Sequence, residues 1–304
     1  MTLVLNGLFP VFAMIAAGRL LRHYNLTTEA FLGTADRLIY FIFFPAMLFW
    51  KIGSARTDEG IPLALCLAAV AAILGLYVAS TLYIRLAVGR FEAGSFSQSC
   101  YRFNTYIGMA VIVNALGSEG VRLFGILVGI VIPLINVLAV STLIWFSGRE
   151  VTGRERLRLT LRALVSNPLI LACVAGLMYA RTINVFPVFV DNTLALATSV
   201  TLPLALLSVG GVLTFDTLRG YLKPAMVAAV FKLVMFPLVG YGFLRLFGVS
   251  GTAFRVGMIF FALPTSTAIY VLSSQLHSNT ELASAAIVVS TLFSFASLTV
   301  VLAL

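Results

Sequence analysis

The sequence predicts an all-α integral membrane protein of ten transmembrane helices, in two inverted sets of five with interrupted helices at matching positions. Three observations carry this: an apolar composition, a succession of long apolar runs, and a basic segment that divides the runs into two sets. Hydrophobic residues make up 61% of the chain and charged residues only 10%. A soluble domain carries about 25% charged residues, and this chain has too few polar groups to build a water-facing skin. Apolar runs of about 18 residues or more read as membrane-spanning helices. The short alternating segments of an outer-membrane barrel do not occur in the sequence.

The runs follow one another along the chain. Helix 1 is predicted from about Leu3 to Leu21, without the basic start and small-residue cleavage site of a signal peptide, so it reads as a retained helix. Helix 2 covers about Ala35 to Ile52, helix 3 about Ile61 to Val88, and helix 4, unusually polar, about Phe96 to Leu116. Helix 5 spans about Val121 to Phe146 and is followed by the basic segment Gly148 to Arg162. Helix 6 is about Val165 to Ala180, helix 7 about Val188 to Leu213, and helix 8 about Tyr221 to Phe247. Helix 9, about Ala253 to Gln275, is interrupted near Pro264, and helix 10 closes the chain from about Leu282 to Leu304.

The net charge of +9 is read as loop arginine and lysine setting orientation, with no nucleic-acid partner. Arg19, Arg22, Arg37, Arg85, Arg90, Arg149, Arg154, Arg156, Arg158, Arg162, Arg219 and Lys223 fall on the side reached after odd-numbered helices. Lys51, Arg56, Arg122, Arg181, Arg245 and Arg255 fall on the other. The richer side is cytoplasmic by this count, which puts both termini outside. Arg154, Arg158 and Arg162 share one helical stripe, suited to an anionic inner leaflet.

Five helices per set is an odd number, so related halves must be inverted. Phe44-Pro45-Ala46-Met47-Leu48 in helix 2 is echoed by Leu202-Pro203-Leu204-Ala205-Leu206 in helix 7. Such repeats with interrupted helices mark secondary transporters and point to their binding sites. Helix 4 carries Ser97-Gln98-Ser99-Cys100-Tyr101-Arg102-Phe103-Asn104-Thr105-Tyr106-Ile107-Gly108. Polar groups at this depth face a cavity or bond one another, and the alternative is helix-to-helix glue. In helix 9, Pro264 removes a backbone donor just before Thr265, Ser266 and Thr267. A true break exposes N–H groups that favour an anion; a simple kink satisfied by the hydroxyls is the other reading.

Lys232 is the lone charge near the centre of helix 8. It either balances a bound carboxylate or ties half-helices together through their carbonyls. Arg102, nearer an interface, is expected to snorkel to water. No acidic residue falls near the middle of a marked helix, which suits an anionic cargo. Cys66, Cys100 and Cys173 have no metal-ligand spacing and read as small buried hydrophobes, and no cofactor is expected. Gly125 and Gly129 form a GxxxG that speaks for close packing alone.

The order and spacing of several motifs resemble the auxin efflux carrier family across nearly the whole chain. They are Phe9-Pro10 with Gly18, Phe44 to Phe49, Arg102 to Thr105 with Ile107-Gly108, Asn167-Pro168-Leu169-Ile170, and Ala262-Leu263-Pro264-Thr265. The resemblance implies two inverted repeats in which helices 4 and 9 are discontinuous and cross near the midplane. It implies fixed helices 1–2 (residues 1–60) and 6–7 (165–218), often a homodimer contact, with helices 3–5 (61–147) and 8–10 (219–304) moving elevator-fashion and 148–164 as a cytoplasmic loop. The implied substrate is a small organic anion, a mono- or dicarboxylate such as malonate or malate or an auxin-like acid. The substrate residues are Asn104, Thr105, Tyr106, Gly108, Pro264, Thr265, Ser266 and Thr267, with Lys232 and Arg102 as electrostatic or structural support. Ala110 stands where the family often has proline, so Gly108 and polar neighbours must break helix 4 or leave it less broken. The missing long central loop points to a bacterial inner-membrane member. Sodium-coupled bile-acid-type transport and a non-transporting sensor are the alternatives. An intramembrane hydrolase lacks a base, since His23 and His277 lie near helix ends.

Overall fold

The computed structural model describes residues 2–54, 62–146, 166–183, 185–213 and 218–303. Helix is the only regular structure among them. The basic segment 148–164, with its arginine stripe, lies outside the described residues. Six helical segments among the described residues are long and apolar enough to cross a membrane: Glu29–Gly53, Leu63–Ala87, Arg90–Phe146, Val188–Gly211, Gly220–Leu246 and Thr280–Ala303. Pro168–Thr182 and Gly251–Ala262 are shorter apolar helices. Side chains such as Leu86, Leu196, Val188 and Phe189 stand outward and uncovered, as lipid-facing positions do.

The chain divides into two compact units. Unit 1 comprises Met1–Leu63, Tyr106–Ile130 and Val165–Leu213. It holds α1 (Thr2–His23), α2 (Glu29–Leu38), α3 (Phe44–Gly53), the first part of α6 (Thr105–Phe146), α7 (Pro168–Thr182), α8 (Val188–Ser199) and α9 (Thr201–Gly211). Thr28 starts α2 by accepting a 3.2 Å bond from the Phe31 N–H, an ordinary N-cap. The helix therefore begins before the predicted Ala35, and Asp36 lies inside the span Glu29–Gly53. That corrects the predicted start of helix 2.

Prolines shape both bent helices of this unit. A single π-turn, Ile39–Phe43, joins α2 to α3 just ahead of Pro45. Widening the turn there relieves the clash of the proline ring with the carbonyl four residues back. α8 gives way to α9 at Val200, just ahead of Pro203.

Small residues let backbones meet. A Cβ built on Gly210 would overlap the Ile15 carbonyl, and one on Gly18 would overlap the Leu207 carbonyl. α1 and α9 thus touch backbone to backbone. Gly210→Leu is expected to destabilise the protein by roughly 1–3 kcal/mol or more, the usual cost of overpacking, read as earlier melting of purified protein. Wild-type melting in this variant would contradict the contact. The GxxxG packs closely as well: a Cβ on Gly125 would lie 2.8 Å from Ile52, and one on Gly129 would lie 3.1 Å from Cys173. All three cysteines are buried and free.

Unit 2 comprises Ala64–Thr105, Val131–Leu164 and Thr214–Leu304. Its helices are α4 (Leu63–Ala87, from Ala64), α5 (Arg90–Tyr101), the last part of α6, α10 (Leu218–Val230), α11 (Phe236–Leu246), α12 (Gly251–Ala262), α13 (Ala268–Gln275) and α14 (Thr280–Ala303). A second π-turn, Phe231–Met235, precedes Pro237. Ser297 donates to the Leu233 carbonyl within that turn at 3.1 Å. Asn279 caps α14 by accepting the Leu282 N–H at 2.9 Å.

Candidate functional site

α5 is buried on every side from Ala93 to Tyr101. Its polar residues are satisfied internally, as hydrocarbon depth demands. Ser99 donates to the Ser95 carbonyl at 2.7 Å and Gln98 to the Gly94 carbonyl at 3.3 Å. Ser95 also bonds Ser273 of α13 at 2.8 Å and Ser278 at 3.0 Å. Ser278 in turn donates to the Phe91 carbonyl at 2.9 Å.

The helix stops at Arg102, whose φ of −68° and ψ of 148° are extended. Residues 102–104 are non-helical and α6 begins at Thr105. α12 stops in the same way at Leu263, with φ −64° and ψ 147°. Residues 263–266 are non-helical and α13 begins at Ala268. Pro264 explains the second stop, because the residue before proline is pushed out of the helical region. No proline acts at the first. Asn104 N–H in the first break donates to the Pro264 carbonyl in the second at 2.9 Å, and Thr265 Oγ1 donates to the carbonyl of Ser99 in the last turn of α5 at 2.7 Å. A third contact comes from α14, where Ser290 Oγ accepts the Thr265 N–H at 3.1 Å.

Helix 4 is therefore broken, and Gly108 is not the residue that breaks it. Gly108 is buried within α6, beyond the non-helical residues. The sharp glycine in α6 is Gly117, with φ 63°, a left-handed conformation that glycine adopts without strain.

Asn104, Thr105 and Pro264 to Thr267 all lie in unit 2. Asn104 and Thr265 are buried, while Thr105, Ser266 and Thr267 are half-buried. Tyr106 and Gly108 fall in unit 1, where the Tyr106 ring meets Phe44 edge-on at 5.0 Å and lies near Asp36 and Tyr40.

Lys232 sits in the second π-turn and is completely buried. Its Nζ donates to the Phe261 carbonyl at 3.1 Å and lies 4.4 Å over the Phe236 ring. It thus steadies the negative end of one half-helix, α12, and satisfies a carbonyl freed by the break. Arg102 is half-buried. NH1 donates to Gln98 Oε1 at 3.2 Å and NH2 to Asn136 Oδ1 at 3.1 Å.

The sequence reading missed Ser290, Asn136, Ser273 and Ser278. Ser290, Thr291, Ser294 and Ser297 share a face of helix 10 at helical spacing, and that stripe was the available signal. Gly240 is a further packing point, since its added Cβ would collide with the Phe261 ring. Gly240→Val is expected to displace the carbonyl that Lys232 holds and to lower stability by roughly 1–3 kcal/mol. Thermal unfolding that matched wild type would count against it.

Long apolar helices with outward apolar side chains define a multi-pass membrane protein, and unit 2 holds two helix breaks among buried polar residues. The family model described as membrane transport protein matches residues 152–302, about half of the chain. The chain belongs to this family, the auxin efflux carrier/membrane transport family. The matched part includes the break at Pro264, and the break at Arg102 lies outside it. No curated protein shows significant similarity to the chain.

Proposed function

We propose that this membrane transport protein is a secondary transporter that carries a small organic anion by elevator-type alternating access. The observation that carries the reading is the pair of matching breaks, bonded to each other through Asn104 to Pro264, with Thr265 bonded to Ser99 at the end of α5. Both are breaks after half-helices that end in extended residues of nearly equal φ and ψ, which is what two inverted five-helix repeats produce when their interrupted helices cross.

The breaks suit an anion for an electrostatic reason. α6 and α13 begin at the crossing and offer the positive ends of their dipoles. α12 ends there, and its negative end is already engaged by Lys232. Asn104, Thr105, Thr265, Ser266 and Thr267 supply hydrogen-bonding groups around these termini, with Tyr106 and Gly108 following Thr105 along α6. Such groups favour a carboxylate over a cation. An elevator needs two bodies, and the chain divides into two units. A bacterial inner-membrane location with both termini periplasmic, and a homodimer through the fixed helices, complete the reading.

Reconstituted in proteoliposomes, the protein is expected to take up labelled malonate or malate saturably. Folded protein that moved neither these acids nor indole-acetate would refute the proposal.

A further inference from the structure

Asp36 lies inside the span Glu29–Gly53, about 10 Å along the helix from Glu29. An ionisable side chain within a span is a functional position by default. Asp36 is half-buried, so a proton can reach it. The Ser208 hydroxyl of α9 lies beside its carboxylate. Ser208 is only 1% exposed, and its Oγ makes no hydrogen bond at ordinary distance. Thr201, on the same face of α9, is also buried with its hydroxyl unbonded. From α6, Tyr106 lies near both Asp36 and Tyr40. An ionised carboxylate only accepts hydrogen bonds, and a protonated one can donate, so the proton decides how these hydroxyls are held.

The charges around Asp36 come from several elements. On α2, Glu29 is paired with Arg22 at 3.5 Å and Arg37 is exposed. The π-turn adds Tyr40 and α6 adds Tyr106. α9 has no titratable side chain. α1, packed on α9, carries Arg19, Arg22 and the exposed His23. Arginines keep their charge at every working pH, which leaves His23 as the group to separate from Asp36.

Tyr106 also marks a boundary. Thr105 belongs to unit 2 and Tyr106 to unit 1, so Tyr106 stands where α6 passes from one unit into the other. We infer that Asp36 is a proton-binding residue that gates transport: ionised, it holds the Tyr106 hydroxyl and anchors α6 at this passage; protonated, it releases the anchor. The gate rests on the organic-anion reading and adds to it a regulating ligand, the proton. Because the protonated form grows as pH falls, acid speeds transport.

The test is exchange in proteoliposomes of whichever acid is carried, labelled malonate or malate, at equal pH on both sides, from about pH 8 to about pH 5. Wild-type exchange is expected to rise about tenfold as pH falls, the usual worth of a hydrogen bond to a charged group. Asp36→Asn, held neutral, is expected to run at the wild type's low-pH rate throughout. The acid's own titration is common to both proteins and cancels in their ratio. His23→Gln is expected to keep the wild-type profile, and a profile flattened by that change overturns the Asp36 assignment. A flat wild-type profile overturns the inference, as does an Asp36→Asn profile like wild type's. If Asp36→Asn does not fold, Ser208→Ala replaces it: loss of the hydroxyl donor is expected to move the midpoint of the profile by about one pH unit. An unmoved midpoint overturns the inference equally. Wild type that exchanges an acid with no response to pH overturns the gate alone. Wild type that exchanges no acid at any pH overturns it together with the transport reading.

Discussion

Replacing Lys232 by alanine is expected to destabilise the protein by roughly 2–5 kcal/mol, the range for truncating a large buried side chain. The side chain is fully buried, so its removal leaves a cavity. The Phe261 carbonyl also loses its donor, and an unmet buried acceptor costs about 1–3 kcal/mol by itself. Lys232→Met separates the two effects. Methionine fills most of the space and removes the burden of keeping an ammonium away from water, so it is expected to melt closer to wild type than alanine does. Because the end of α12 then has no cation, Lys232→Met is expected to transport poorly even when folded. Alanine and wild type melting alike would contradict the structural role; a fast methionine variant would contradict the electrostatic one.

The second large effect is expected at the crossing itself. Asn104→Ala leaves the main-chain bond to Pro264 intact, since the backbone N–H makes it. Folding is therefore expected to survive while substrate affinity falls about 10- to 100-fold, the cost of losing a hydrogen bond to a charged group. Thr265→Val keeps the side chain's shape but removes the bond to the Ser99 carbonyl. It is expected to reduce both stability and uptake, because that bond ties the second break to the end of α5. Concentration-dependent uptake beside thermal unfolding checks both. Normal uptake by both variants, equally stable, would place the substrate elsewhere.

The two breaks were not equally legible in the sequence. Pro264 announces its break chemically: a missing donor and a restricted preceding residue act locally, whatever the surroundings. The break at Arg102 to Asn104 has no such signature. The extended geometry there accompanies bonds to Pro264 and Thr265, about 160 residues further along the chain. Gly108 was the nearest residue with the right local chemistry, and it lies inside a helix. The start of helix 2 was misplaced for a different reason. Apolar windows start a helix late when its first turn is polar, and the capping pair Thr28-Glu29 marked the true start. Ser290 and Asn136 reach their partners only through packing of helices, which periodicity can suggest as a face and cannot pair.

The central claim is that the crossing breaks form the substrate site of an anion transporter. Ser266 is half-buried beside Thr265 and suits the most direct test. Ser266→Cys, in a background lacking Cys66, Cys100 and Cys173, would be reacted with a small membrane-impermeant thiol reagent in proteoliposomes, with and without malonate or malate. The account predicts modification that a transported acid slows in proportion to its occupancy, while a non-transported acid leaves it unchanged. Modification indifferent to an acid that the same vesicles demonstrably carry would contradict it.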